Sequence, residues 1–258
     1  MEPENHAEWE APPPPEPIIA DPPQMSEAAT LANIFFEPGR TFEDLKRKPR
    51  FIIAGLIILI ATSIFQIAFV QKVGFERIIR ERIESSSRST QLSSEQKEQI
   101  ISQRSGPIVK AISFGIVPIV LIIVFFLGGL IYWLGANAMG GSGSYLSSVS
   151  TWVYASLPPT LLLAAANLVV LLVKSVDDID ISQGGLVQAN PSLFIDSKAS
   201  PGLAALLSSI DLFAIWGWVL AAIGLQKIFK ISSGAAWAIV LLLGLVGVTG
   251  KVIGALFF

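Results

Sequence analysis

The chain has 258 residues, 52% of them hydrophobic and 15% charged, with a formal net charge of −2. A soluble domain carries about 25% charged residues, so the composition argues against an ordinary water-soluble fold. There is no cysteine and only one histidine, His6, which removes disulfides, thiol redox chemistry and the usual thiolate or imidazole metal sites.

The charge is strongly segregated. Ten of the twenty acids lie before residue 46, where Arg40 is the only basic residue. Residues 1–28 form an acidic, proline-rich tail that cannot bury enough apolar surface to offset its ordering entropy, and disorder is predicted there. It lacks the basic start and short apolar run of a signal peptide. Its APPPPEP stretch reads either as a polyproline II ligand for a partner's aromatic groove or as an extended, soluble spacer.

Residues 29–50 change character. Phe35 and Phe36 precede a Pro38-Gly39 turn, after which Thr41 is expected to cap a short helix with Asp44 as its capping-box partner. Phe42 and Leu45 share a face at i, i+3. The bases Lys46, Arg47, Lys48 and Arg50 follow directly. Aromatics and bases beside a membrane span suggest a segment lying on anionic lipid, with Phe35, Phe36, Lys46, Arg47, Lys48 and Arg50 as the lipid-interface residues. The same bases also orient the next helix by the positive-inside rule.

Five stretches reach the ~20 residues that a helix needs to cross a hydrocarbon core of ~30 Å. They are 51–70, 111–134, 152–173, 203–225 and 236–258. Proline falls inside the second at Pro118 and near the start of the third at Pro158 and Pro159. Glycines such as Gly250 and Gly254 form small-xxx-small pairs that allow close helix contact. Between the first two spans, 71–110 reads as two short helices around a serine-rich bend. Residues 139–151 read as a small flexible turn. The bases before the first span put the N-terminus inside, so that five crossings leave the C-terminus outside. Lys72, Arg77, Arg80, Arg82, Arg88, Lys97, Arg104 and Lys110 then fall outside, against the rule.

Four spans carry a strong polar group. Measured from the inner ends at ~1.5 Å per residue, Gln66, Asn167, Asp211 and Lys251 all fall at ~21–22 Å. This predicts a buried polar layer in which Asp211 pairs with Lys251, bracketed by Asn167 and Gln66. Such a layer is either a structural latch that sets helix register or a proton or ion site; Lys251 alone could instead snorkel to the outer interface.

Most catalytic chemistry is absent. No Ser–His or Cys–His nucleophile pair can be assembled from this composition. No GxxxxGK[ST] loop exists, and Gly140, Gly141 and Gly143 follow no strand, so they read as a turn. A paired-aspartate intramembrane protease needs a second membrane acid. The bases lie next to a bilayer, which explains them better than nucleic acid does.

The segments FFEPGRTFEDLKRKPRF, GSGSYLSSVSTWVYASLPPTLL and SSIDLFAIWGWVLAAIGLQKIFKISSGAAWAIVLLL resemble the Yip (Ypt/Rab-interacting protein) domain family over residues 31–258. The resemblance implies a non-enzymatic protein with five spans and a cytosolic N-terminus. Its eukaryotic members bind prenylated Rab-type GTPases in early secretory traffic. This chain lacks their aromatic-glycine-proline pattern and looks more like the prokaryotic branch. Asp211, Trp216, Tyr154 and Pro158 are the family-like positions, and none carries a catalytic role.

The expected protein is all-α and polytopic: a tail (1–28), an amphipathic juxtamembrane segment (29–50) and a five-helix transmembrane domain (51–258). A scaffold or adaptor in membrane organisation or trafficking is the leading function, and a small ion- or proton-coupled transporter or channel is the alternative. No catalytic residue, cofactor, metal or nucleic acid is expected. The bilayer, a protein partner at the N-terminal tail and a second copy of the chain are the candidate partners. A bacterial plasma membrane with a cytoplasmic N-terminus is the expected location, with the ER or Golgi as the alternative.

Overall fold

The computed structural model describes residues 22–86, 91–179, 181, 186–196 and 199–257. Most of the acidic tail, including His6 and the APPPPEP stretch, lies outside the described residues. Among those described, the chain is helical and contains no strand.

Two short helices come first. In α1 (Glu27–Asn33) the Ser26 side chain accepts from the Ala29 N–H, a standard N-cap. Helix α2 (Pro38–Arg47) opens on proline, whose missing N–H is no loss in a first turn. It stops at Lys48, before Pro49, because the residue ahead of a proline is pushed out of the helical region. Thr41 is therefore no cap: it lies inside α2 and donates to the Glu37 carbonyl at 3.1 Å.

Helix α3 (Ile52–Val73) makes the first crossing and ends at Gly74, whose φ of 91° turns the chain sharply. Helices α4 (Phe75–Ser85) and α5 (Ser94–Arg104) follow as the expected polar pair. Helix α6 (Pro107–Ala138) crosses back, α7 (Tyr145–Val173) crosses again, and a long connection leads to α8 (Pro201–Leu207). Helices α9 (Leu212–Phe229) and α10 (Ser233–Phe257) make the last two crossings. Five helices are thus long and apolar enough to span a bilayer. Both α6 and α7 run through their prolines unbroken, as transmembrane helices can when neighbours re-satisfy the freed carbonyls.

Two boundaries differ most from those expected. The turn at 139–151 shrinks, because α7 already starts at Tyr145. Its hydroxyl side chains are satisfied within the helix by bonding backwards: Ser148 to the Tyr145 carbonyl, Ser150 to that of Leu146 and Thr151 to that of Ser147. The stretch 203–225 is not one helix. It breaks at 208–211 into α8 and α9, with Asp211 outside the α9 helix as its N-cap.

Helix α7 is central and packs on α9, α6 and α3. The main core lies towards the end of the bundle that carries α2, where Phe42, Leu45, Ile58, Val153, Tyr154, Leu225 and Phe229 are buried together. A smaller cluster of Val70, Val73, Ile78, Leu171 and Ile179 closes the opposite end, under α4. Helices α6 and α7 approach closely at Gly129, where a Cβ would sit 2.8 Å from the Val149 Cα. The Gly250–Gly254 pair of α10 instead meets open space.

These contacts set different outcomes for one substitution at two glycines. Gly129→Ala overpacks the α6–α7 contact and should destabilise by about 1–3 kcal/mol. Gly250→Ala should leave stability unchanged or raise it by up to about 1 kcal/mol, since alanine is the better helix former. Unfolding midpoints of the purified protein in mixed micelles check both.

Candidate functional site

The juxtamembrane segment docks on the bundle. Helix α2 packs on α9 and α7, and Phe42 and Leu45 are fully buried. Gly224 of α9 makes room: a Cβ there would lie 2.6 Å from Thr151 and 2.9 Å from the Phe42 ring. The apolar face of α2 is therefore spent on protein and not on lipid.

One buried carboxylate locks this arrangement. Asp44 is 1% exposed and forms an ion pair with Arg50. Its Oδ1 also accepts from the backbone N–H groups of Gln24 (2.5 Å) and Met25 (3.2 Å). Arg50 Nη1 donates to the Met25 carbonyl at 3.0 Å. Acid, base and the backbone where the tail begins thus share one closed set of bonds. Burying an acid demands such partners. Arg50, expected on lipid, is turned inward for this reason, and Asp44, expected to complete a capping box, binds the chain ahead of α1 instead.

The other lipid-interface candidates divide. Phe36 is 83% exposed, while Phe35 packs edge-on against Trp216 of α9 with ring centroids 6.4 Å apart. Lys48 is exposed, and Lys46 and Arg47 are half-buried. Lys46 sits beside Lys230, which has φ 57° at the end of α9. Burial first, and then the neighbouring ammonium, hold the Lys46 amine below the ordinary lysine range. Glu43 bonds Lys227 at 2.6 Å, and that contact holds its carboxyl below the usual carboxylate range.

At the other end of the bundle three of the four polar-layer residues find separate partners. Gln66 donates to the Ser113 carbonyl (2.9 Å) and Asn167 accepts from the Val187 N–H (2.9 Å). Asp211 accepts from the Phe213 N–H (2.9 Å) and from the Asn190 amide (3.1 Å). No ion pair joins Asp211 to Lys251, which is exposed. A capping role explains this: the first N–H groups of α9 lack helical partners, and an aspartate just ahead of them satisfies one without needing a cation.

Asp211 and Lys251 do border one cavity of about 660 Å³, together with the ring residues Tyr132, Trp152 and Trp218. Sequence reasoning did not find this cavity, since nothing in hydropathy records where two helices fail to meet. It also missed the Asp44–Arg50 clamp, whose i, i+6 spacing matches no helical face; Pro49 between them was the available signal. Among the described residues no group of His, Cys, Asp or Glu is arranged to hold a metal ion.

The clamp should behave as a unit. Asp44→Ala alone strands the Arg50 charge and should cost about 3–5 kcal/mol, whereas Asp44→Ala with Arg50→Met should recover most of it. Unfolding in micelles, with tryptic cleavage after Lys46 and Arg47 as a local probe, checks the cycle.

The family model described as Yip1 domain matches residues 32–253. The protein named Membrane protein YknW from Bacillus subtilis (strain 168) is 28% identical over 218 residues, covering 82% of this chain and 84% of that protein. No solved structure matches.

Proposed function

Because the chain belongs to the Yip1 domain family, we propose that it is a non-enzymatic membrane scaffold that presents its acidic, proline-rich tail to a cytoplasmic partner from a fixed point on the bundle. The observation that carries this reading is the Asp44 clamp. It ties the backbone at Gln24 and Met25 to the membrane domain, so a partner held by residues 1–21 would be held at one place and height above the bilayer. A loose lipid-bound segment would give no such registration.

A cytoplasmic N-terminus in a bacterial plasma membrane fits the charges. Lys46, Arg47, Lys48, Lys227 and Lys230 gather at the α2 end, as the positive-inside rule asks. At the opposite end Arg77 and Arg80 are engaged by Glu81, Asp177, Glu76 and Glu98. A second reading, a small ion-coupled transporter, draws on the cavity bordered by Asp211 and Lys251; its apolar lining favours the scaffold.

The experiment is crosslinking and pull-down from native membranes with the full chain and with residues 1–21 deleted. The deletion must stop there, because removing α1 and α2 would take Phe42 and Leu45 out of the core. The scaffold reading expects a partner lost on deletion while the bundle's unfolding midpoint stays put. An unchanged partner set would overturn it.

A further inference from the structure

Helix α10 leans on α9 and α8, touches α6 only lightly and packs little on the central α7. The cavity of about 660 Å³ lies in the gap, well within the ~300–1,000 Å³ of ligand pockets. Its walls are mostly apolar: Ala155 and Pro159 of α7, Gly217 and Trp218 of α9, and Leu243 and Gly244 of α10, with the hydroxyls of Ser156 and Thr160 on the α7 side. Along α10 the lining runs from Val240 to Lys251, ~16 Å at ~1.5 Å per residue. That is about half of a ~30 Å hydrocarbon core, the depth of one leaflet.

The two charged groups are gathered at one end. Ser209, Asp211 and Lys251 line the cavity there. Asp211 and Lys251 each lie ~27 Å along the bundle from the α2-end termini of α9 and α10, Phe229 and Ser233, which sets them at the far membrane–water boundary. The Asp211 carboxylate spends one lone pair on Phe213 and one on Asn190, and a carboxylate has about four. Lys251 makes no ion pair within 4.0 Å among the described residues. The slot thus presents an acid and a base at its mouth, too far apart to bind each other.

We propose that this cavity binds one aminophospholipid of the leaflet opposite α2. An acyl chain fills the slot, the phosphate meets Lys251 and the primary ammonium meets Asp211. A leaflet-deep apolar slot with a two-sign mouth matches one acyl chain and the zwitterionic headgroup of such a lipid, whose second chain stays in the bilayer. An anionic headgroup would leave Asp211 facing a like charge. A choline headgroup has the right signs but no N–H to donate to the carboxylate.

The test uses the purified full chain in phosphatidylcholine vesicles carrying a trace of phosphatidylethanolamine with a diazirine at its acyl terminus. Adducts are mapped by mass spectrometry. They should concentrate on the α9 and α10 segments around Gly217, Trp218 and Gly244. Gly247 lines the cavity and a Cβ there meets open space, so Gly247→Phe adds bulk to the slot from an unobstructed backbone position and should cut these adducts by about tenfold. Gly250→Phe, on the same helix but outside the lining, should leave them within about twofold. Asp211→Asn keeps a good helix cap and should erase the preference over a phosphatidylglycerol probe of the same tail, while Lys251→Met should weaken both probes. Adducts spread evenly over α3 and α6 and indifferent to Gly247→Phe would overturn the site. Equal labelling by the ethanolamine, glycerol and choline probes would overturn the headgroup assignment.

Discussion

A carboxylate withdrawn from water persists only when donors surround it, and Asp44 meets that demand with two backbone N–H groups and a guanidinium. The consequence is larger than one residue. Because two of those donors belong to Gln24 and Met25 and the third to Arg50, the bonds close a loop around both short helices. Phe42 and Leu45 can then pack on α9 and α7 as part of the same core that holds Tyr154 and Phe229. A helix that would otherwise rest on lipid becomes the lid of the bundle.

The far end solves its polar problem differently. There the long connection after α7 is held by individual side chains: Lys72 donates to the Leu171 carbonyl in the last turn of α7 and to that of Lys174, Arg77 to that of Val176 (2.9 Å), and Asn167 and Asp211 receive the connection's Val187 N–H and Asn190 amide. Polar side chains on and beside the spans thus stitch the connection down, which satisfies groups that hydrocarbon could not. The bundle is dense near α2, and the large cavity opens beside α10 towards the other end.

Much of this was legible from the residues. Five apolar runs announce five crossings, and the polar pair α4–α5 announces itself by composition. Asp211 shows where legibility stops. Hydropathy treats an acid between two apolar stretches as one buried in a long helix, yet the same residue ahead of Leu212 is an ideal cap, and the chain breaks there. The amphipathic face of α2 is a second case. Phe42 and Leu45 at i, i+3 state that a surface is to be buried, but not whether lipid or protein will bury it. That choice depends on Gly224 and Thr151, far along the chain, leaving space for a phenylalanine ring. Arg50 was misread for the same reason: its partner is set by the bend at Pro49 and not by any periodic spacing.

The claim on which the account rests is that α2 is docked on the end of α9. The chain has no native cysteine, so a pair of introduced thiols reports without background. Glu43 and Lys227 meet at 2.6 Å across this contact, and Glu43→Cys with Lys227→Cys, bridged by a short bifunctional maleimide in native membranes, measures it directly. Docking predicts rapid, intramolecular bridging that disappears when Asp44→Ala is added. No bridging, or bridging only between separate chains, would contradict it.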